Sequence, residues 1–465
     1  MTSPRQSTAE RPPVICLISL GCSKNTVDSE CILGNLTQAG LLIAEEPADA
    51  DVCLVNTCGF IEDAREETAA VLKELAGLKR RGTLKAVAAL GCLVERVTDC
   101  PEMSAFLEQA DARISFAEYP RLPDICRRLA QGSAVQDRSA RTDWHKDFLG
   151  FLNSPRARIG SPHTAYLKIS EGCSNHCRFC SIPAIRGRQA SRPIEEILEE
   201  ARALAGSGAR EINLIAQDTT SYGKDLYGAC RLPELLRRLG GVDSTIWFRL
   251  MYAHPRHLSD EILDTLAGSP HLCPYLDLPL QHIADPMLAA MGRGMDRKGT
   301  LAVLDRIAAK LPAGALRTTF IVGYPGETEA HFAELLDFVR EGRFTHAGVF
   351  TYSSEPRTPA ARLDDSVSAA EKARRRKALM LAQLEVSRVR LRKRVGTRIE
   401  VMLDRSVGTG ERAPAGARAI ARSRLEAPEV DGVIFLRGNV RELAPGTRLH
   451  ARVSGALDYD LVAEL

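Results

Sequence analysis

At 465 residues the chain is longer than one hydrophobic core serves, so two or three domains are expected. Its 62 Lys and Arg against 59 Asp and Glu exclude a surface built throughout to coat nucleic acid, while leaving local basic stretches open. No apolar run approaches the ~20 residues that span a bilayer, and the polar start at 1–13 lacks the apolar core of a secretory signal, so a cytoplasmic protein without membrane contact is expected. Its 13 cysteines then read as metal ligands, redox centres or buried thiols rather than a disulfide framework.

Three continuous runs of branched apolar residues, 14–20, 52–55 and 85–90, predict buried parallel strands, with helices near 29–39 and 61–78 between them. That alternation makes 14–130 an α/β parallel-sheet domain. Residues 131–162, richer in Ser, Arg, Gly and Pro, read as a linker on which Trp144, Phe148, Phe151 and Leu152 could dock. Strands at 166–170, 211–216, 247–252, 275–280, 318–322 and 347–352 then alternate with helices. They suggest a partial β/α barrel over 163–394, an open sheet being the alternative. Its last helix, 369–394, carries ten Lys or Arg against two Glu between Glu371 and Arg394. That is either a solvated face or a nucleic-acid or ribosome contact. Short runs at 398–403, 432–436 and 448–453, broken by Gly and Pro, predict a small all-β domain over 396–465.

Glu171-Gly172-Cys173-Ser174-Asn175-His176-Cys177-Arg178-Phe179-Cys180 follows the first barrel strand, which places three thiols on the loop at its carboxyl end, where barrel active sites lie. Zinc sites usually take two pairs of ligands, whereas this is a triplet. A four-iron cube held by three thiolates leaves one iron open, as a cluster needs if it must bind a small molecule and pass it an electron. The spacing C-x3-C-x2-C resembles in full the signature of radical S-adenosylmethionine enzymes. Gly323-Tyr324-Pro325-Gly326-Glu327-Thr328 would alone be a turn and a helix start. Beside a radical site it resembles the segment lying along the cofactor, which makes Gly323, Gly326 and Glu327 candidate cofactor contacts. Gln217 and Asp218 end the second strand, where that class similarly places polar contacts.

Cys22, Cys58 and Cys92 are far apart in sequence, yet each follows one of the three N-terminal strands. In a parallel sheet those ends share one edge, where ligands of open α/β folds bind. A second three-thiol metal site, again suited to a cluster with an open iron, is the expectation. Cys16 and Cys53 lie inside strands and read as packing thiols.

Two three-thiolate sites, a partial barrel and a small β domain in this order resemble the methylthiotransferases, radical enzymes that insert sulfur into an unactivated C–H bond and methylate it. The matching segments are Gly21-Cys22-Ser23-Lys24-Asn25, Asn56-Thr57-Cys58-Gly59-Phe60, Gly91-Cys92-Leu93-Val94-Glu95-Arg96 and the Cys173 segment through Arg186-Gly187-Arg188. The resemblance implies two 4Fe-4S clusters, one held by Cys22, Cys58 and Cys92 and one, meeting S-adenosylmethionine, by Cys173, Cys177 and Cys180. It also implies that the last domain is a substrate-recognising TRAM domain. The stretch 21–30, GCSKNTVDSE, and Ala427-Pro428-Glu429-Val430-Asp431-Gly432 resemble the branch acting on an aspartate of ribosomal protein uS12; the alternative branch acts on transfer-RNA adenosines. Ten Arg against ten acids over 396–465 point toward a protein partner, since a domain gripping phosphates should carry net positive charge. The partners implied are uS12, free or in the small ribosomal subunit, and an electron donor. The basic helix leaves a nucleic-acid contact open. Met291-Gly292-Arg293-Gly294-Met295 departs from the more basic sequence common in the family and receives no substrate role. Arg249, Asp277, Gln281 and His282 occupy later strand ends, where they could face substrate or be satisfied structural groups.

Overall fold

A computed structural model describes residues 11–135, 144–440 and 442–465. Most of the polar start and the stretch 136–143 of the expected linker lie outside the described residues. The chain divides into two units, Met1–Ile159 and Gly160–Leu465.

In the first unit the three branched runs form β1 (Val14–Ser19), β3 (Val52–Thr57) and β4 (Ala86–Gly91). Two three-residue edge strands, β2 (Leu42–Ala44) and β5 (Ala112–Ile114), complete a parallel sheet of order β2-β1-β3-β4-β5. The helices are α1 (Ser23–Gln38), α2 (Glu62–Arg80), α3 (Cys92–Asp99), α4 (Leu122–Ala130) and α5 (His145–Phe151). Val52 to Val55 and Val87 to Leu90 are fully buried, which is why these strands read as continuous apolar runs rather than alternating ones. Cys16 and Cys53 face each other in register inside the sheet, as packing thiols should. The helix expected from residue 29 begins at Ser23 instead, because its first turns bury the polar Lys24, Asn25 and Asp28 and so lack an apolar stripe. Trp144, Phe148 and Phe151 close on Phe116 and Tyr119, with ring centroids 4.9 Å (Phe116–Trp144), 5.2 Å (Phe116–Phe148) and 5.6 Å (Tyr119–Phe151) apart.

The second unit opens with β6 (Thr164–Lys168), the short hairpin pair β7 (Ser170–Glu171) and β8 (Ala190–Ser191), and helices α6 (Ile182–Arg186) and α7 (Ile194–Gly206). Next come β9 (Glu211–Ile215), α8 (Lys224–Tyr227), α9 (Leu232–Leu239), β10 (Trp247–Leu250), α10 (Asp260–Gly268) and β11 (Tyr275–Asp277). The barrel closes its sequence with α11 (Asp285–Ala290), α12 (Arg297–Lys310), β12 (Ala315–Val322), α13 (Glu329–Arg340), β13 (His346–Thr351) and α14 (Ala369–Arg392). Strands β6, β9 and β10 pair in parallel, as do β11, β12 and β13, and a parallel bridge between Phe248 and Leu272 links the two groups. Neighbours in space are therefore neighbours in sequence. An open doubly wound sheet would reverse its order at a switch point, so this is the partial barrel.

The last strands, β14 (Arg398–Ser406), β15 (Ala419–Arg422), β16 (Ile434–Arg437), β17 (Arg448–Ala456) and β18 (Leu461–Glu464), close a small barrel of order β14-β15-β16-β18-β17. Its core is aliphatic, from Val401 through Ile434 and Leu436 to Val453 and Ala463. Residues 422–431 of this small barrel sit against the amino-terminal ends of the large barrel's strands. Arg422 donates to Glu211 (2.7 Å) and to both oxygens of Asp404 (2.9 and 2.9 Å). Arg249 donates to Glu211 (2.8 Å) and to the Arg424 carbonyl (2.8 Å). Asp431 accepts from the Tyr275 hydroxyl (2.7 Å) and Arg317 (2.7 Å). Arg249 is thus committed to this docking, away from the carboxyl-end face, and Asp277 accepts from the Tyr252 amide at 3.1 Å inside the barrel. No helix among the described residues is long and apolar enough to cross a membrane.

Candidate active site

The N-terminal thiols stand where three strands end. Cys22 is the N-cap of α1, Cys58 follows β3, and Cys92 opens α3 after Gly91. Amide N–H groups and the dipole at a helix start favour a thiolate, which suits Cys22 and Cys92 to metal binding. Gly21 has φ +92°, and a Cβ there would lie 2.9 Å from the Cys58 Cβ and 3.2 Å from its Sγ, so only glycine lets these two loops approach. One buried side chain ties all three loops together. Asn25 donates through Nδ2 to the carbonyls of Leu20 (3.0 Å) and Thr57 (3.0 Å), while its Oδ1 lies 3.6 Å from Cys92 Sγ. Thr57 adds a second tie, donating to the Leu90 carbonyl at 2.7 Å and accepting from the Leu93 amide at 3.2 Å.

The second thiol set lies on the loop between β7 and α6. Gly172 (φ +73°) lets the chain pass the backbone of 186–188, where a Cβ would meet the Arg188 carbonyl at 2.3 Å, and Cys173 N–H bonds the Gly187 carbonyl at 3.1 Å. Each sulfur receives an N–H donor. Cys173 Sγ takes the Asn175 amide and Nδ2 (3.5 and 3.5 Å), Cys180 Sγ takes the Ile182 amide (3.5 Å), and Cys177 Sγ takes Arg293 Nη1 (3.0 Å). Burial pushes the Cys173 thiol up to about 11 and the Cys180 thiol up to about 12. A thiolate here therefore needs a cation beside it, and metal binding supplies that. Three cysteines on one loop, each sulfur with an N–H donor aimed at it, are a donor set that fits a four-iron cluster with one open iron.

Beneath the loop, Glu171 is fully buried and accepts from Lys168 (2.7 Å), Arg186 (3.0 Å) and Gln217 Nε2 (2.6 Å). Burial would raise its carboxyl, but the Arg186 and Lys168 charges outweigh that and hold it at about 2. Sequence reasoning missed this network, which fixes Gln217 and leaves its buried Oε1 without a partner among the described residues. Asp218 is consumed by Thr220, Ser221 and Asn175 (2.6, 2.7 and 2.8 Å), so it orients the Asn175 that covers Cys173. Glu327 is buried between Arg375 (3.0 Å), His282 (3.2 Å) and the Gly323 amide, and so shapes the 323–327 turn from behind. His282 and Gln281 serve the same region: His282 Nδ1 caps the amides of Ile283 and Ala284 (2.9 and 3.0 Å), and Gln281 bridges to β12 with φ +74°. Gly323 (φ +74°) packs on the Lys372 stem, where a Cβ would meet Cγ at 2.2 Å, whereas Gly326 (φ +83°) faces open space.

The Radical SAM superfamily model matches residues 167–339, the model described as Uncharacterized protein family UPF0004 matches 14–112, and a TRAM domain model matches 395–465. Among solved structures, the radical S-adenosylmethionine methyltransferase TsrM from Kitasatospora setae, with cobalamin and a 4Fe-4S cluster bound, is similar in fold. The TM-score is 0.54 at 14% identity, covering 75% of this chain and 77% of that one. Fold and thiol loop together define a radical S-adenosylmethionine enzyme. Proteins named ribosomal protein uS12 methylthiotransferase RimO are similar over almost the whole length. The one from Desulforamulus reducens is 41% identical (97% of this chain, 99% of that), the one from Anaeromyxobacter sp. strain Fw109-5 43% (97% and 93%), and the one from Desulforudis audaxviator 42% (100% and 99%). The chain belongs to the ribosomal protein uS12 methylthiotransferase family.

Proposed function

We propose that this chain transfers a methylthio group to the β-carbon of an aspartate in ribosomal protein uS12, using two 4Fe-4S clusters and S-adenosylmethionine. The observation that carries the reading is the pair of three-thiol sets, one following three parallel strands and one on the single loop after β7, in a chain similar along its length to proteins named for this reaction. Cys173, Cys177 and Cys180 would hold the cluster that meets S-adenosylmethionine, and Cys22, Cys58 and Cys92 the second. Bound at the former, a four-iron cluster with one open iron supplies the electron for reductive cleavage of the cofactor.

The chain's own residues position and shield. Asn175 and the Ile182 amide aim N–H groups at sulfur, and Asp218 holds Asn175 in place. Gln217, its nitrogen committed to Glu171, keeps a carbonyl oxygen for a donor such as the cofactor's ammonium group. Gly326 leaves room for close approach of a ligand to the backbone. We assign cluster binding to 14–130, a joining segment to 131–162, the radical barrel and its basic helix to 163–394, and substrate recognition to 396–465. An electron donor completes the partners. A nucleic-acid contact through α14 and the two residues after it would rest on few groups, because of the ten cations over 371–394 only Lys377, Arg392 and Lys393 stay exposed without a partner among the described residues. The test is the mass of uS12 and of transfer RNA from cells with and without this protein. A gain of one methylthio group on uS12 alone supports the proposal, and a gain on transfer RNA alone refutes it.

A further inference from the structure

Residues 291–295, left without a role by their sequence, wrap the cysteine loop. The Met291 carbonyl accepts from the Arg178 amide at 2.9 Å. Gly292 (φ +68°) has no room for a Cβ, which would lie 2.7 Å from the His176 carbonyl. Between these contacts Arg293 is 5% exposed, with Nη1 3.0 Å from Cys177 Sγ and Nη2 2.7 Å from the Pro279 carbonyl. Its Nε has no partner, and no carboxylate pairs with it among the described residues. A guanidinium stays charged at any pH a protein survives. Burying one without a counter-charge is costly, so the anion that balances it must arrive with the thiolates.

We infer that Arg293 is a positioning residue for the central cluster: it fixes the Cys177 sulfur and places a positive charge against it, making the cluster easier to reduce. The inference rests on Cys173, Cys177 and Cys180 being the ligands. Three thiolates outweigh the charge of an oxidised four-iron core, and reduction adds one more negative charge. A cation within hydrogen-bond reach of a ligand sulfur favours the reduced form, in line with the dependence of such potentials on charge and on N–H···S bonds. Removing it must move the potential downward.

The experiment uses full-length, cluster-loaded protein in the Cys22→Ala, Cys58→Ala, Cys92→Ala background, so that the signal measured belongs to the central site. If that background holds no reducible four-iron cluster, the ligand reading fails. If it does, Arg293→Gln should make one-electron reduction at least about tenfold harder, a downward shift of about 59 mV in an EPR-monitored titration, with an altered EPR line shape. A loaded Arg293→Gln protein with the parental potential and spectrum overturns the inference. Should Arg293→Gln fail to hold iron, Arg293→Lys decides. A loaded Lys variant within tenfold of the parent supports the charge assignment, and one that is unloaded or shifted further overturns it.

Discussion

Arg422→Met should unseat the small C-terminal barrel from the large one. The arginine is 4% exposed and its guanidinium bridges Glu211, fully buried, and Asp404. Removing one partner from a buried ion pair costs about 3–5 kcal/mol, because a carboxylate is left in a poor solvent. Here Glu211 keeps Arg249 at 2.8 Å and Asp404 keeps His163 at 2.9 Å, so the loss should fall near the lower end, about 3 kcal/mol. Urea unfolding followed by tryptophan fluorescence reports it, since Trp247 lies two residues from Arg249 on β10. The double variant Arg422→Met with Asp404→Leu should recover part of the loss, as the stranded charge is removed with its partner. A single-variant loss below about 1 kcal/mol would refute the docking argument. The same geometry makes deletion of 396–465 a poor test of substrate recognition: it uncovers Glu211, Arg249, Tyr275 and Arg317, and the large barrel should lose stability along with any partner.

Acid should weaken this docking. Burial alone would raise the carboxyls of Glu211, Asp404, Glu426 and Asp431, but the facing Arg and His groups outweigh it and hold all four below their ordinary range. Their contribution is therefore complete above roughly pH 4 and is lost as pH falls below that toward the depressed values, which stability curves against pH would show as a slope confined to acid. Cys173→Ala, Cys177→Ala, Cys180→Ala should abolish reductive formation of 5'-deoxyadenosine; cleavage at the parental rate would disprove the ligand assignment. Cys22→Ala, Cys58→Ala, Cys92→Ala should keep about half the iron and cofactor cleavage while losing methylthio transfer to uS12, and unchanged iron would exclude the second site. Asn25→Asp keeps the shape but cannot donate to the Leu20 and Thr57 carbonyls, so it should shed iron from the N-terminal site alone; iron analysis in the Cys173, Cys177, Cys180 triple-Ala background decides it.

What the sequence made legible was local. A strand with both faces covered is a run of branched residues, so β1, β3 and β4 and the cysteines just after them could be placed from the sequence alone. The edge strands β2 and β5 are three residues long, β2 largely exposed and β5 mostly buried, and both are too short for any pattern to declare them. Arg293 meets Cys177 across 116 positions and Arg422 meets Glu211 across 211, separations over which periodicity carries no information. The count of ten Arg against ten acids over 396–465 was correct as arithmetic and uninformative as a surface. Asp404, Glu426 and Asp431 are turned inward on the large barrel and its helix, while Arg398, Arg418 and Arg452 remain exposed. Glu327 illustrates the converse: its motif was visible, but only the structure shows its carboxylate closed off by Arg375 and His282.

Helix α14 has a consequence for how the small barrel can be exchanged. Near its start Lys372 packs on Gly323 and Arg375 grips Glu327, and near its end Arg388 holds Asp458 while Arg394, just beyond it, holds Glu426. With 24 residues it extends about 36 Å as one rod between the turn beside the thiol loop and the small barrel. A small barrel grafted from a relative would have to bring acids matching this rod and arginines matching Glu211, or arrive unattached. Exchange of this domain is therefore a negotiation between interfaces, and hybrids assembled at residue 395 should fail unless the rod and the barrel floor travel with it.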